Sequence, residues 1–220
     1  MMAKRLLDLV TAALGLAILA IPFVVVAIAI KIESPGPLIF SQLRVGQFGR
    51  PFRMFKLRTM AQRANPEIAI TVSGDPRITA TGRFLRKSKL DELPQLVNIL
   101  LGDMSLVGPR PEVPEFVAKY SPHDFETVLS VRPGLTDFAS IRFRNENELL
   151  ARQVDPVAYY EKVIIPAKLR YYRFYVQRES VRLDLYIIMS TFVALGKDMM
   201  ARGALEGVPP KDGGRDSGRC

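Results

Sequence analysis

The sequence predicts an α/β chain of irregular, mostly helical kind, with a small sheet, an N-terminal re-entrant membrane helix and interfacial amphipathic helices. Three observations lead there. Leu9 to Ile30 carries no formal charge and is long enough for a bilayer, which takes about 20 apolar residues. Short strand-like runs at Leu38 to Phe40 and Arg53 to Leu57 flank a loop containing Gly46 and Gly49. Leu93, Leu96, Val97, Leu100 and Leu101 then recur at helical spacing.

Charge decides how the first segment sits. Lys4 and Arg5 precede the apolar run, and Lys31, Arg44, Arg50, Arg53, Lys56 and Arg58 follow it. The positive-inside rule holds both flanks in the cytoplasm, which a straight span cannot satisfy. Pro22, near the middle of the run, removes a backbone hydrogen bond and supplies a bend. An ordinary spanning anchor, which tolerates proline, stays open as the alternative. Either way the rest of the chain faces the cytoplasm. A cleaved signal peptide fits poorly, because the run is too long and no small-residue cleavage site closes it.

Glu33-Ser-Pro-Gly-Pro37 reads as a tight exit turn. In Phe52-Arg-Met-Phe-Lys-Leu-Arg58 apolar and basic residues alternate, as in a half-buried strand. Ala61 to Thr81 is polar and turn-rich and reads as a loop, with turns at Gly74 to Arg77 and Thr79 to Gly82.

Arg86-Lys-Ser-Lys-Leu-Asp91-Glu92-Leu-Pro94 runs straight into the helical pattern. Ser88 with Asp91 three residues later reads as a capping signal, Pro94 suits a first turn, and Gly102 makes a C-terminal stop. Asp91 and Glu92 then share the positive end of a helix, preceded by Arg83, Arg86, Lys87 and Lys89. Both features favour an ionised Asp91 and would hold phosphate. A carboxylate attacking phosphorus needs its target's charge neutralised, which these cations supply. On this stretch alone, a capping carboxylate pair in surface ion pairs explains the same residues.

Further on, Arg110 stands between Pro109 and Pro111, in a rigid loop suited to bidentate phosphate recognition. Val131-Arg-Pro-Gly134 makes another turn, followed by Arg142 and Arg144. Tyr159 to Ile165 ends at Pro166, and Ala167 to Glu179 mixes Lys168, Arg170, Arg173 and Arg178 with aromatic residues. That mixture suits a helix in the headgroup layer, and equally an amphipathic helix packed on a core. Leu185 to Leu195 is too short to span and reads as a buried or interfacial helix. Glycine, proline and mixed charge mark a disordered tail from residue 203.

Composition narrows the function classes. The 220 residues carry 31 Lys and Arg against 22 Asp and Glu, a net charge of +9 that favours anionic partners. The single cysteine, Cys220, excludes a disulfide framework, and the single histidine, His123, excludes a multi-histidine metal site. A metal here is a hard cation held by carboxylates. Two non-enzymatic readings compete: a basic module for membrane surfaces or nucleic acid, and a membrane-anchored scaffold with the dyad as a helix cap.

Four signatures occur in order: Phe55-Lys-Leu-Arg58-Thr-Met60, Ser88-Lys-Leu-Asp91-Glu92-Leu-Pro-Gln-Leu-Val-Asn98, Gly102-Asp-Met-Ser-Leu-Val-Gly-Pro-Arg110-Pro111 and Val131-Arg-Pro-Gly134. Together they resemble the bacterial sugar transferases, the monotopic phosphoglycosyl transferases that begin glycoconjugate assembly on a polyprenyl phosphate. The resemblance covers roughly residues 3 to 200 and suggests the small form, consisting of the catalytic core. It implies a re-entrant helix over residues 1–33, a cytoplasm-facing catalytic domain over 34–202 and an inner-membrane location. It implies that Asp91 attacks the β-phosphorus of a UDP-sugar, releases UMP and carries a phosphosugar that undecaprenyl or another polyprenyl phosphate then takes. Glu92 matches the second acid, which assists metal binding or proton handling, so Asp91 and Glu92 are the metal candidates for Mg²⁺. Arg58, Arg86, Arg110 and Arg144 fall where the family has basic residues near its phosphates. Expected partners are the UDP-sugar, the polyprenyl phosphate, membrane lipids and later glycosyltransferases of the same pathway, with no nucleic acid. Where many members continue Thr-Gly-Trp-Ala-Gln, this chain has Thr136-Asp137-Phe138-Ala139-Ser140, which puts the sugar's identity in question more than the reaction.

Overall fold

A computed structural model of the chain describes residues 2–61 and 75–206, with side chains as far as residue 197. It is mostly helical with a small sheet. The first helix, α1 (Met2–Glu33), contains Pro22 and leaves its apolar segment largely uncovered. One stripe of it, formed by Asp8, Ala12, Leu16, Leu19, Phe23, Val26 and Ile30, packs against the rest of the molecule. The opposite stripe, Leu6, Val10, Leu14, Ile18, Ile21, Val25, Ile28 and Ile32, is exposed. Such a continuous exposed apolar band marks a surface for lipid or for another protein, and α1 is long and apolar enough to be a membrane segment.

Both ends of α1 are bonded to the same body. Near the start, Lys4 Nζ donates to Asp184 Oδ2 at 2.7 Å, the Tyr175 hydroxyl at 3.0 Å and the Val107 carbonyl at 3.0 Å. Asp8 Oδ1 accepts from Ser105 Oγ at 3.1 Å and the Leu106 amide at 3.0 Å. At the other end Glu33 accepts from the Ala80 and Thr81 amides at 2.6 and 2.9 Å.

Strands β1 (Ile39–Val45) and β2 (Pro51–Leu57) form an antiparallel hairpin in which Ile39 faces Leu57 and Val45 faces Pro51. Both are longer than the runs at 38–40 and 53–57, because the ladder recruits the polar residues up to the Gly46–Gly49 turn. The loop reading of residues 61–81 falls largely on 62–74, outside the described residues. Its end differs from expectation: Thr79 caps α2 (Ala80–Ser88), accepting from the Gly82 amide at 2.9 Å, so Thr79 to Gly82 opens a helix. Gly82 packs on the end of β2, where an added Cβ would stand 2.1 Å from the Thr59 carbonyl oxygen.

Ser88 does not begin a helix. It closes α2, its hydroxyl donating back to the Phe84 carbonyl at 2.9 Å. Lys89 then takes the left-handed conformation (φ 60), and Leu90–Glu92 form a 3-10 turn leading through Pro94 into α3 (Gln95–Leu101). Gly102 stops α3 at φ 95, as its position suggests. The buried face of α3 differs from the apolar pattern: Gln95, Leu96, Asn98 and Ile99 are buried, whereas Val97, Leu100 and Leu101 are exposed. Asn98 earns its interior position by serving the hairpin backbone. Its Nδ2 donates to the Arg53 carbonyl at 2.8 Å, and its Oδ1 accepts from the Phe55 amide at 3.0 Å.

The two proline-glycine stretches form a parallel pair, β3 (Ser105–Val107) with, after the short helices α4 (Pro114–Val117) and α5 (Pro122–Val128), β4 (Gly134–Thr136). The pairing depends on glycine. A Cβ on Gly134 would lie 2.1 Å from the Gly108 nitrogen, and one on Gly108 would lie 2.4 Å from the Arg132 carbonyl oxygen. Helices α6 (Phe138–Arg142), α7 (Glu146–Ala151) and α8 (Pro156–Tyr159) follow. A π-helical turn, Tyr160–Ile164, joins α8 to α9 (Ile165–Gln177), so Pro166 sits in a first turn, where it does not end the helix. The last helix, α10 (Val181–Glu206), exposes Leu185, Tyr186, Met189, Phe192 and Val193 while Ile187 is buried. It continues past residue 203, where the tail was expected to begin; residues 207–220 lie outside the described part.

Candidate active site

Asp91 and Glu92 lie on the 3-10 turn, buried between β2, α2 and the loop after β3, and the two carboxylates differ sharply. Glu92 is clamped. Arg110 Nη1 donates to Oε2 at 3.1 Å and Arg110 Nη2 to Oε1, while Lys56 Nζ donates to Oε1 at 3.2 Å. Burial would raise the Glu92 pKa, but Arg110, then Lys56 and Lys89, overcome it and hold Glu92 well below the usual carboxylate range. The pairing in turn raises Arg110 further. Burial lowers Lys56, opposed by Glu92.

Asp91, by contrast, forms no hydrogen bond among the described residues, and its Oδ1 is buried without a partner. Burial first, and the neighbouring Glu92 second, raise its pKa above the ordinary value; Lys56, Lys89 and Arg86 act the other way without cancelling them. The cations expected to favour an ionised Asp91 are thus opposed by burial and by the adjacent like charge, and the turn that carries it is 3-10. Neighbouring acids with environments that push them apart suit separate tasks. Glu92 is a fixed anion organising Arg110 and Lys56; Asp91 is an unengaged oxygen donor.

The arginines divide. Arg110 reaches the dyad, and its loop is fixed by a buried network in which Glu112 Oε1 accepts from the Tyr160 hydroxyl at 2.5 Å and Lys168 donates to that hydroxyl at 3.1 Å. Arg86 feels the charge of Asp91 and donates from Nε to Thr59 Oγ1 at 2.8 Å. Arg58 is committed elsewhere: its guanidinium donates to the Ser34 and Pro35 carbonyls at 2.6 and 2.8 Å, closing the turn after α1. Arg144 lines an open hollow of about 470 Å³ with Phe138, Ile141, Arg142, Asn145 and Tyr171. Asp137, within the departing stretch, caps α6 by accepting from the Ala139 and Ser140 amides at 2.6 and 3.0 Å. Asp184 anchors Lys4.

Two residues escaped the sequence reading. Lys56, set on β2 beside the dyad, had only its place in a basic alternation to mark it. Gln95 is fully buried with both side-chain amide atoms unpartnered; an amide inside an apolar run was its one visible signal.

Among the described residues no cluster of three or more His, Cys, Asp or Glu forms a ready-made metal site. The buried, unpartnered Asp91 Oδ1 fits a hard cation whose remaining ligands are phosphate oxygens and water. Glu92 fits less well, since both its oxygens already accept from cations.

Residues 1–198 match the family model described as bacterial sugar transferase. A UDP-glucose:undecaprenyl-phosphate glucose-1-phosphate transferase of Caulobacter vibrioides is 47% identical over 151 residues, covering 63% of this chain and 53% of that protein. A putative undecaprenyl-phosphate N-acetylgalactosaminyl 1-phosphate transferase of Bacillus subtilis is 49% identical over 119 residues, 53% of this chain and 66% of its own length. A UDP-glucose:undecaprenyl-phosphate glucose-1-phosphate transferase of Escherichia coli is 34% identical over 192 residues, 86% of this chain and 39% of its own length. The chain thus spans between 39% and 66% of the length of these relatives. With nearly its whole described length matched by the family model, the chain belongs to the bacterial sugar transferase family.

Proposed function

We propose that this chain moves a sugar-1-phosphate from a UDP-sugar to a polyprenyl phosphate, undecaprenyl phosphate above all, through a covalent intermediate on Asp91. The observation that carries this reading is the buried Asp91 Oδ1, left without a partner beside a Glu92 held by Arg110 and Lys56. An Asp91 oxygen attacks the β-phosphorus as the bond from that phosphorus to the oxygen bridging to the α-phosphate breaks. UMP departs with the bridging oxygen, and Asp91 holds the sugar phosphate as an acyl phosphate. A polyprenyl phosphate oxygen then attacks the same phosphorus, releasing the Asp91 carboxylate and giving a polyprenyl diphosphate sugar. Lys56, Lys89, Arg86 and Arg110 offset the negative charge of substrate and leaving group. Mg²⁺ bound at Asp91 would neutralise phosphate charge when present.

The same reading makes residues 1–33 a re-entrant helix and residues 34–202 a catalytic domain on the cytoplasmic face of the inner membrane. Its support is that Lys4 and Asp8 at one end of α1, and Glu33 at the other, bond to one body, as the two ends of a helix that dips into a bilayer and returns to one face would. The exposed faces of α1 and α10 supply apolar surface for the lipid. Later glycosyltransferases of the same pathway would receive the lipid product.

Two measurements test this. Wild-type protein in nanodiscs, given β-³²P-labelled UDP-sugars without lipid acceptor, should retain label and release UMP, whereas Asp91→Asn should do neither while remaining folded. Full turnover by Asp91→Asn would overturn the mechanism. Cysteines placed at residues 2 and 35 should both react with a reagent confined to the cytoplasmic side, and reaction from opposite sides would overturn the topology.

A further inference from the structure

Helix α2 is held from outside by two anchors, and one of them is the last residue of α1. The amides that open α2 are all engaged. Thr79 donates to the Thr59 carbonyl at 3.1 Å, and Gly82 to the Thr79 hydroxyl at 2.9 Å. Ala80 and Thr81 donate to the two carboxylate oxygens of Glu33 at 2.6 and 2.9 Å. The free donors of a helix start are ordinarily met by the residue just before it. Here two of them are met by a carboxylate 47 and 48 positions away. The cap is therefore also a tether between α1 and α2.

Other bonds close a ring around this tether. Further along α2, Arg86 Nε donates to Thr59 Oγ1 at 2.8 Å, and Arg58, next to Thr59, donates to the Ser34 and Pro35 carbonyls at 2.6 and 2.8 Å. Packing follows the same line. Ile30 of α1, Leu57 of β2 and Leu85 of α2 form one buried cluster, with Phe23 and Val26 of α1 and Leu90 of the dyad turn packed against it. The earlier part of α1 joins a different cluster, where Ala12, Leu16 and Leu19 meet Leu96, Ile99 and Met104. The changeover falls between Leu19 and Phe23, around Pro22, which has no amide to donate. The second half of α1 is thus joined to the segment that carries Arg86 and leads into Asp91, and the first half to α3 and the residues around β3.

We propose that Glu33 is a positioning residue for the transfer: by fixing α2 to the second half of α1, it sets Arg86 against the dyad turn and couples the seating of α1 to the geometry of the active site. This rests on the transfer reading above and goes beyond it by giving a task to a residue outside the dyad and its cations.

The test compares full-chain variants in nanodiscs by UMP-release kinetics, thermal melts and amide hydrogen exchange. Glu33→Ala should lower kcat at least tenfold, with KM for the UDP-sugar within threefold. It should also speed exchange at residues 86–93 at least tenfold while residues 95–101 keep their wild-type rates. Glu33→Gln, which keeps the size but offers one acceptor to two amides, should change both in the same direction. In an Arg86→Met background Glu33→Ala should cost less than threefold in kcat, because the residue it places is gone. Glu33→Ala/Ala80→Glu returns a carboxylate to the first turn of α2 without the link to α1, and should recover the melt but not kcat. A folded Glu33→Ala or Glu33→Gln within twofold of wild type in kcat or in exchange at residues 86–93 would overturn the positioning role. So would a tenfold loss that persists in the Arg86→Met background, or recovery of kcat by Ala80→Glu, which would leave Glu33 as a plain helix cap. Wild type that releases UMP from no UDP-sugar would overturn the transfer reading, while tenfold faster exchange at residues 86–93 in Glu33→Ala, unrelieved by Ala80→Glu, would still support the tether.

Discussion

Gly82→Ala is the substitution with the most to say about how the site is held. An alanine Cβ would stand 2.1 Å from the Thr59 carbonyl oxygen, and ordinary carbon–oxygen contact requires α2 to lift by about 1.2 Å. The atom in the way is backbone at the end of β2, so no side chain can rotate aside. Lifting α2 stretches two hydrogen bonds beyond reach: Arg86 Nε to Thr59 Oγ1, now 2.8 Å, and the Thr79 amide to the Thr59 carbonyl, now 3.1 Å. Overpacking costs about 1–3 kcal/mol and each of the two lost bonds about 1 kcal/mol, so a loss of about 3–5 kcal/mol is expected, equivalent to about 6–20 °C in Tm for a chain of this size. Because α2 carries Arg86 and leads directly into the dyad turn, a displacement near 1 Å should also lower kcat about a hundredfold. The control is Gly196→Ala in α10, where an added Cβ meets nothing within 4 Å; it should be neutral or gain up to about 1 kcal/mol in helix propensity. Thermal melts and UMP-release kinetics in the same nanodiscs read both. Gly82→Ala within 2 °C and twofold of wild type (about half a kcal/mol by the same scaling), or equal losses for the two variants, would refute the reasoning.

Other substitutions separate charge from packing. Since burial and Glu92 raise Asp91, lowering the pH through that raised value protonates the carboxylate proposed as the nucleophile. The acid limb of kcat/KM should therefore lie above the usual aspartate value of about 3.9. Lys56 opposes the rise, so Lys56→Met should move the limb further up; a limb that stays put would count against the assignment. Arg110→Met leaves buried Glu92 with Lys56 alone and should cost about 3 kcal/mol. The double variant Arg110→Met/Glu92→Gln should recover most of that stability in chemical melts without recovering turnover. Lys4→Met strips the cation from Asp184, which is 1% exposed, and should cost about 3 kcal/mol by the same logic; an unchanged melt would show that α1 is held by its apolar stripe alone.

The parts of the site legible in the sequence are those with local causes. Gly102 ends a helix because only its φ allows that turn, and Arg110 between two prolines is presented on a stiff loop. The dyad is marked by adjacent acids among cations. What the sequence hides depends on distant partners. Ser88 has the composition of a cap, but tertiary packing starts α2 at Thr79 and ends it at Ser88. Asn98 and Gln95 interrupt an apolar run, and only the fold reveals that one stitches the hairpin while the other is unengaged. Arg58 reads like its neighbours in a basic alternation, yet its carbonyl partners, Ser34 and Pro35, lie in the exit turn of α1. Burial, invisible in a residue's identity, separates Asp91 from Glu92.

The contact between Gly108 and Gly134 has a consequence for how such enzymes diversify. Arg110 lies two residues beyond one glycine and Asp137 three beyond the other, so the distance from the arginine clamp to α6 is set by main chain against main chain. No side chain mediates that spacing, and none can drift to alter it. The hollow bordered by Phe138, Arg142 and Tyr171 is instead walled by side chains that follow this join. Substitutions along residues 138–145 can accordingly reshape that hollow while the main-chain join keeps Arg110 in place, a separation that suits the segment to grafting between relatives.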